Sequence, residues 1–258
     1  MRWLDVDSCI EEKAIRDNAI AFAKANKKQI SRRLTNPEIY PPEDDPVSVF
    51  MAGSPGAGKT EASIALVNLF ADTPILRIDP DELRSEFQDY VGGNAWLFQG
   101  AVSILVDRIL DAALEQKQSM LLDGTLANEE LAIKNISRAL KRKRFVQILY
   151  VYQEPMLAWQ FVQAREATEG RRIRPEHFIN QFFAARDVVN AVKLKFGKEV
   201  RVDLLLKNND NSNRLYKAGV EKIDYHVPQR HTKAMLEELL GINHGARNGR
   251  DEGGNGQG

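Results

Sequence analysis

Short runs dominated by apolar residues recur along the chain at 47–52 (VSVFMA), 74–79 (PILRID), 119–123 (SMLLD), 145–151 (FVQILYV) and 201–206 (RVDLLL). Each is strand-length and rich in β-branched or aromatic residues, and each is bounded by turn-forming or charged residues. Between them the apolar positions repeat at helical spacing, which predicts helices over 59–70, 80–89, 94–116, 127–141, 155–168 and 175–195. Strands alternating with helices predict βαβ units and a parallel sheet flanked by helices. The near-continuous apolar character of VQILYVY fits a strand covered on both faces. Ahead of this series, residues 7–33 read as a helix whose apolar side is supplied by Ile10, Ala14, Ile15, Ala21, Phe22 and Ala25. PEIYPPEDDP (37–46) is a proline-rich connector that cannot continue that helix. Met235, Leu236, Leu239 and Leu240 predict a closing helix over 229–240. From Gly241 apolar residues are sparse, which predicts a disordered tail. The expected organisation is an N-terminal helix and connector (1–46), one α/β domain (47–240) and a tail (241–258).

The link between the first strand and its helix carries chemistry. Residues 53–60 read GSPGAGKT and satisfy G-x-x-x-x-G-K-[ST], the phosphate-binding loop. Gly53, Ser54, Pro55, Gly56, Ala57 and Gly58 would turn backbone N–H groups toward phosphate oxygens. Lys59 would reach the β- and γ-phosphates, and the Thr60 hydroxyl would hold a magnesium ion. Strand, glycine loop, helix is the context this motif requires. The chain is therefore expected to bind a nucleoside triphosphate with Mg2+ in a P-loop NTPase fold.

Composition removes several alternatives. Thirty-six basic and thirty-six acidic residues cancel, so no global field draws the protein to nucleic acid or to a membrane. No apolar run approaches a membrane span, and the N-terminal residues lack a secretory apolar region. The single cysteine, Cys9, reads as a small half-buried helix residue and fits a reducing cytoplasm. The four histidines are scattered without metal-ligand spacing.

A kinase needs more than a phosphate cradle, and candidates lie where the strands end. In RIDPDELR (77–84), Asp79 reads as an N-cap, with Pro80 in the first helical position and Glu82 completing a capping box. Asp81 lies on the same sheet edge as the loop. It is either the base that takes a proton from an acceptor hydroxyl or a partner of the helix dipole. In LLDGT (121–125), Asp123 is either a magnesium-side carboxylate, if the third strand neighbours the first, or a turn aspartate. Thr125 would contact substrate or phosphate, or cap the helix at 127–141. After the fourth strand, Arg165, Arg171, Arg172 and Arg174 crowd together, as a lid over a γ-phosphate or as a solvated basic face. Lys141, Arg142, Lys143 and Arg144 read as solvated cations near a helix C-terminus. Asn208, Asn209 and Asp210 read as a polar turn.

The four blocks GSPGAGKT, RIDPDELR, LLDGT and QAREATEGRRIRPEHF (163–178), in this order, resemble the zeta toxins, the PezT-like phosphate-loop kinases of bacterial toxin–antitoxin systems. The resemblance spans roughly residues 15–215. It implies an adenylate-kinase-like α/β fold and transfer of the ATP γ-phosphate to the amino-sugar 3′-hydroxyl of UDP-N-acetylglucosamine, which blocks cell-wall precursor synthesis. It implies that Asp81 is the base, that Lys59 and Thr60 serve the phosphates, and that Arg165 and Arg172 contact phosphate from the lid. It also implies site roles for Asp123 and Thr125, and substrate binding by Asp107, where the family carries glutamate. A small helical antitoxin is the implied protein partner. Two other readings remain. One keeps the chemistry with a nucleic acid, another metabolite or a protein as acceptor. The other is an ATP-dependent switch acting through a protein partner.

Overall fold

The computed structural model describes residues 3–242 other than Ala71, Arg171, Asn211 and Gln229, with side chains from residue 10 onward except that of Glu169. The expected tail beyond Ile242, the Cys9 side chain and Arg171 lie outside the described residues. The elements run α1 (Trp3–Leu34), β1 (Val47–Ala52), α2 (Lys59–Asn68), β2 (Leu76–Ile78), α3 (Gln99–Glu115), β3 (Met120–Leu122), α4 (Glu129–Leu140), β4 (Phe145–Tyr152), α5 (Pro155–Glu169), α6 (Pro175–Phe196), β5 (Val200–Lys207), β6 (Asn213–Lys217) and α7 (Lys233–Leu239).

The sheet order is β2-β3-β1-β4-β5-β6. The first five strands in chain order are parallel, and β6 is antiparallel to β5. Both faces are covered, which is why the strand sequences show little alternation. Phe50, Met120 and Ile148 lie on one face with Leu105 and Ile109 of α3. Val49, Met51, Leu121 and Leu149 lie on the other with Ala62 of α2. A third cluster joins Ala158 and Val162 of α5 to Phe178, Ile179 and Phe182 of α6 and Leu236 of α7. Burying a side chain such as Phe50 contributes about 1.5–3 kcal/mol, so these packed faces set the rigidity of the strand ends.

Four expectations are corrected. In α1 the buried stripe is Ala19, Ala23 and Ile30, while Ile10, Ala14, Ala21, Phe22 and Ala25 are exposed. The face toward α3 admits small residues because the two helices lie close together. The helix expected over 80–89 is a single 3-10 turn, Glu82–Glu86. Its apolar positions Leu83 and Phe87 are both buried by that one turn, and Gly92 then bends the chain with φ 74°. The helix expected over 94–116 begins as a 3-10 turn, Ala95–Phe98, before α3. Strand β6 is exposed at all five positions and lacks the apolar alternation that would have announced it.

Arg144 is the fourth. It is 5% exposed, whereas Lys141, Arg142 and Lys143 are solvated as expected. Its guanidinium donates to Ser48 Oγ at 2.7 Å, to the Val47 carbonyl at 2.7 Å and to the Gln118 carbonyl. It thereby ties the start of β1 to the residues leading into β3. Burial pushes its pKa down to about 10.

Candidate active site

The carboxyl ends of β2, β3 and β1 lie side by side at one edge, and the loop at 53–60 rises from β1, between β3 and β4. Two glycines are required there by contact as well as by conformation. A Cβ on Gly53, whose φ is 133°, would lie 2.3 Å from the Val151 carbonyl of β4. On Gly56, at φ 71°, it would lie 2.1 Å from the Ala158 carbonyl of α5. The loop is thus pressed against both neighbours. The Lys59 ammonium folds back to donate to the Ser54 carbonyl at 2.7 Å. Thr60 lies in the first turn of α2, where unsatisfied N–H groups favour an anion.

Strand β3 does neighbour β1, with Phe50 opposite Leu122. Asp123 therefore stands beside the loop, 6% exposed. The Gly53 N–H donates to the Thr125 carbonyl at 3.2 Å, so the third-strand motif pins the loop directly. The chain then turns through Leu126 at φ 52°. A leucine in this left-handed region costs on the order of 1–2 kcal/mol and persists because its surroundings hold it. Asn128, not Thr125, caps α4 by accepting from the Leu131 N–H at 2.9 Å.

Around Asp123 is a network of ion pairs. Arg77 Nη2 donates to Asp123 Oδ2 at 2.7 Å and to Asp79 Oδ2 at 2.5 Å. Arg77 Nη1 donates to Glu82 Oε1 at 2.6 Å, and Nε donates to Ser63 Oγ at 2.9 Å. The Ser63 hydroxyl in turn lies 2.7 Å from Asp123 Oδ2. Both side-chain hydrogen bonds described at Asp123 fall on Oδ2, which leaves Oδ1 for a ligand. Asp79 accepts from the Asp81 N–H at 2.7 Å, but the N-cap of the turn is Asp81, not the expected Asp79, and it makes no side-chain capping bond. Glu82 does not complete the expected capping box, because it pairs with Arg77 instead. Burial, with the charges of Asp81 and Asp123, pushes the Asp79 carboxyl above its ordinary range, while the Asp81 N–H and Arg77 draw it back. Burial works against the charge on the Arg77 guanidinium, but Asp123, Glu82 and Asp79 hold it above its ordinary range.

Asp81 is half-buried and pairs with Arg84, whose side chain is buried below it. The Arg84 Nε has no hydrogen-bond partner among the described residues. The other predicted residues are less closely gathered. Arg165 lies half-buried on α5. Arg172 is exposed and stands 3.7 Å from Glu166. Asp107 sits on α3 and pairs with Lys134 at 3.1 Å and Arg138 at 2.8 Å, both on α4. Burial works against the charged form of Asp107, but the Lys134 hydrogen bond and Arg138 hold its carboxyl below the ordinary range. No hydrogen bond or ion pair described for Asp107 joins it to the loop or to Asp81. Asn208 and Asp210 fold onto Ser212 as the β5–β6 turn.

Three residues of this site had no role assigned from sequence: Arg77, Ser63 and Arg84. Arg77 left a signal. It is the charged centre of a three-residue strand between buried Leu76 and Ile78, and must therefore face an anion on the opposite side of the sheet.

Comparisons with known proteins bear on the fold and the family. The zeta toxin family profile matches residues 30–221, most of the chain, and the protein belongs to that family. No curated protein matches it. Among solved structures, one from the PezAT chromosomal toxin–antitoxin system of Streptococcus pneumoniae is 17% identical with TM-score 0.63, covering 88% of this chain and 95% of that one. An AvrRxo1-ORF1:ORF2 complex with ATP is 16% identical with TM-score 0.55, covering 84% of this chain and 71% of that one. The fold is that of the P-loop kinases. Among the described residues no helix is long and apolar enough to cross a membrane.

Proposed function

We propose that the protein is an ATP-dependent kinase that transfers the γ-phosphate to a hydroxyl of a small acceptor, the amino sugar of UDP-N-acetylglucosamine, and so impairs cell-wall precursor synthesis in the cytoplasm. The observation that carries the reading is the meeting of the Lys59 loop, Thr60, Asp123 and Asp81 at the carboxyl ends of three adjacent strands, where α/β sheets bind ligands.

The residues present fit ATP and Mg2+. The glycine-built loop offers backbone donors, and the Asp123 carboxylate has one oxygen fixed by Ser63 and Arg77. In this reading Lys59 exchanges the Ser54 carbonyl for the β- and γ-phosphates. Thr60 and Asp123 would hold the magnesium ion, which would neutralise charge on the phosphate oxygens. Asp81 accepts the proton of the acceptor hydroxyl as the new oxygen–phosphorus bond forms and the bond to the ADP oxygen breaks. Arg165 and Arg172 offset the charge on the moving phosphoryl group. ATP as donor is supported by the neighbouring complex solved with ATP. A small helical antitoxin as partner is supported by the toxin–antitoxin neighbour.

The test is to incubate the purified protein with ATP, Mg2+ and UDP-N-acetylglucosamine and follow the sugar nucleotide by mass spectrometry. A singly phosphorylated product is expected. Normal ATP binding with no product overturns the acceptor. One observation favours a different small acceptor with the same chemistry: Asp107, the implied sugar-binding residue, is engaged by Lys134 and Arg138. Profiling of metabolites after brief expression, wild type against Lys59→Ala, would identify that acceptor.

A further inference from the structure

We propose that Arg77 is a positioning residue that couples the phosphate-loop helix to the two strand-end carboxylates and thereby sets the magnesium-competent geometry of Asp123. The inference rests on the kinase reading above and extends it to a residue to which that reading gives no contact with nucleotide or acceptor. Four side chains from three segments converge on this one guanidinium: Ser63 of α2, Asp79 and Glu82 after β2, and Asp123 after β3. A planar fork can satisfy such directions at once, whereas a lysine ammonium acts as a point charge. Ser63 stands three residues beyond Thr60, and its hydroxyl also lies 2.9 Å from the Thr60 carbonyl. Arg77 therefore fixes Asp123 relative to the helix turn that presents Thr60. Through Asp79, which accepts from the Asp81 N–H, it also fixes the backbone that carries Asp81.

The buried position strengthens the coupling. The Arg77, Asp79 and Asp123 side chains are 13%, 8% and 4% exposed, so little water is available to substitute for a lost partner. Without the guanidinium, Asp79 and Asp123 lose the cation they share and repel one another. Asp123 then has only Ser63 to define its rotamer. Groups that orient a metal-holding residue typically account for about 10- to 100-fold in metal affinity or activity.

The experiment measures the affinity of a fluorescent ATP analogue with Mg2+ and with EDTA, in wild type, Arg77→Met, Arg77→Lys and Ser63→Ala. Wild type is expected to bind more tightly with Mg2+. Arg77→Met is expected to keep the EDTA affinity and to lose most of the magnesium-dependent gain, about 10- to 100-fold at most. Arg77→Lys restores part of that gain, and Ser63→Ala loses a smaller part. A merely structural role would lower both affinities together or neither. A wild-type gain that persists in Arg77→Met overturns the inference and leaves the kinase reading intact. If Arg77→Met does not fold, an undiminished gain in both Arg77→Lys and Ser63→Ala overturns it equally. Absence of any magnesium gain in wild type removes the magnesium assignment at Asp123, and this inference with it.

Discussion

The strand-end carboxylates and the lid arginines are built in opposite ways. Asp79 and Asp123 are buried, share Arg77 and are tied to α2 through Ser63. Arg165 lies on α5, whereas Arg172 follows that helix and is 69% exposed, with a long contact to Glu166 among the described residues. Desolvated hydrogen-bonded pairs hold a geometry, whereas an exposed pair of this kind contributes little. The carboxylate side is thus assembled before any ligand arrives. On our reading, Arg172 acquires its order from the phosphates it meets, and the two halves of the proposed transfer apparatus should respond differently to substitution.

The sharpest way to break this contrast is Asp81→Asn. Loss of the proposed base should lower phosphoryl transfer by about 10²–10⁴-fold while nucleotide affinity, measured by fluorescence titration, stays near wild type. Loss of binding instead would make Asp81 part of the nucleotide grip. Next, Arg172→Ala and Arg165→Ala should each lower turnover by about 10²–10³-fold where the arginine reaches the transferring phosphoryl group. Neither should change the melting temperature by much. A large thermal loss with unchanged turnover would assign that arginine to the scaffold.

A third test uses pH. The Asp79 carboxyl is raised in the fold by burial and by Asp81 and Asp123, so its ionisation opposes folding. Its contribution is most favourable below the unfolded value of 3.8 and declines as pH rises through the higher folded value. Urea melts from acid to neutral pH should show that decline in wild type and a flatter profile in Asp79→Asn. Equal slopes would mean that Arg77 cancels the burial. The smallest effect is expected at Asp107. Because this residue belongs to a half-exposed ion-pair group, Asp107→Asn should cost within about 1 kcal/mol and leave acceptor KM unchanged. A rise in KM alone would return Asp107 to the acceptor site.

Local covalent and steric rules account for what was legible without coordinates. The five parallel strands were legible because each is a short apolar run. The phosphate loop was legible because only glycine tolerates the approach of Gly53 to Val151 and of Gly56 to Ala158, and that need writes itself into the chain as a spaced motif. Asp81 and Asp123 were legible as candidates because each follows an apolar strand at the edge that carries the loop, but a helix-dipole partner and a turn aspartate fit the same sequence equally.

What tertiary structure alone decided is which charges face one another. Arg144 and Arg142 are two residues apart in one basic run, yet Arg144 is buried against Ser48 and Gln118 while Arg142 is solvated. Asp107 became a partner of α4 because the fold brings Lys134 and Arg138, 27 and 31 residues further along, within ion-pair distance of it. Arg77 acquired its role only when β3 entered beside β2 and α2 crossed above them, bringing together Ser63, Asp79 and Asp123, which lie up to sixty residues apart. Backbone preference is a property of neighbouring residues and can be read along the chain. Electrostatic partnership depends on distance and burial, which exist only once the chain has folded.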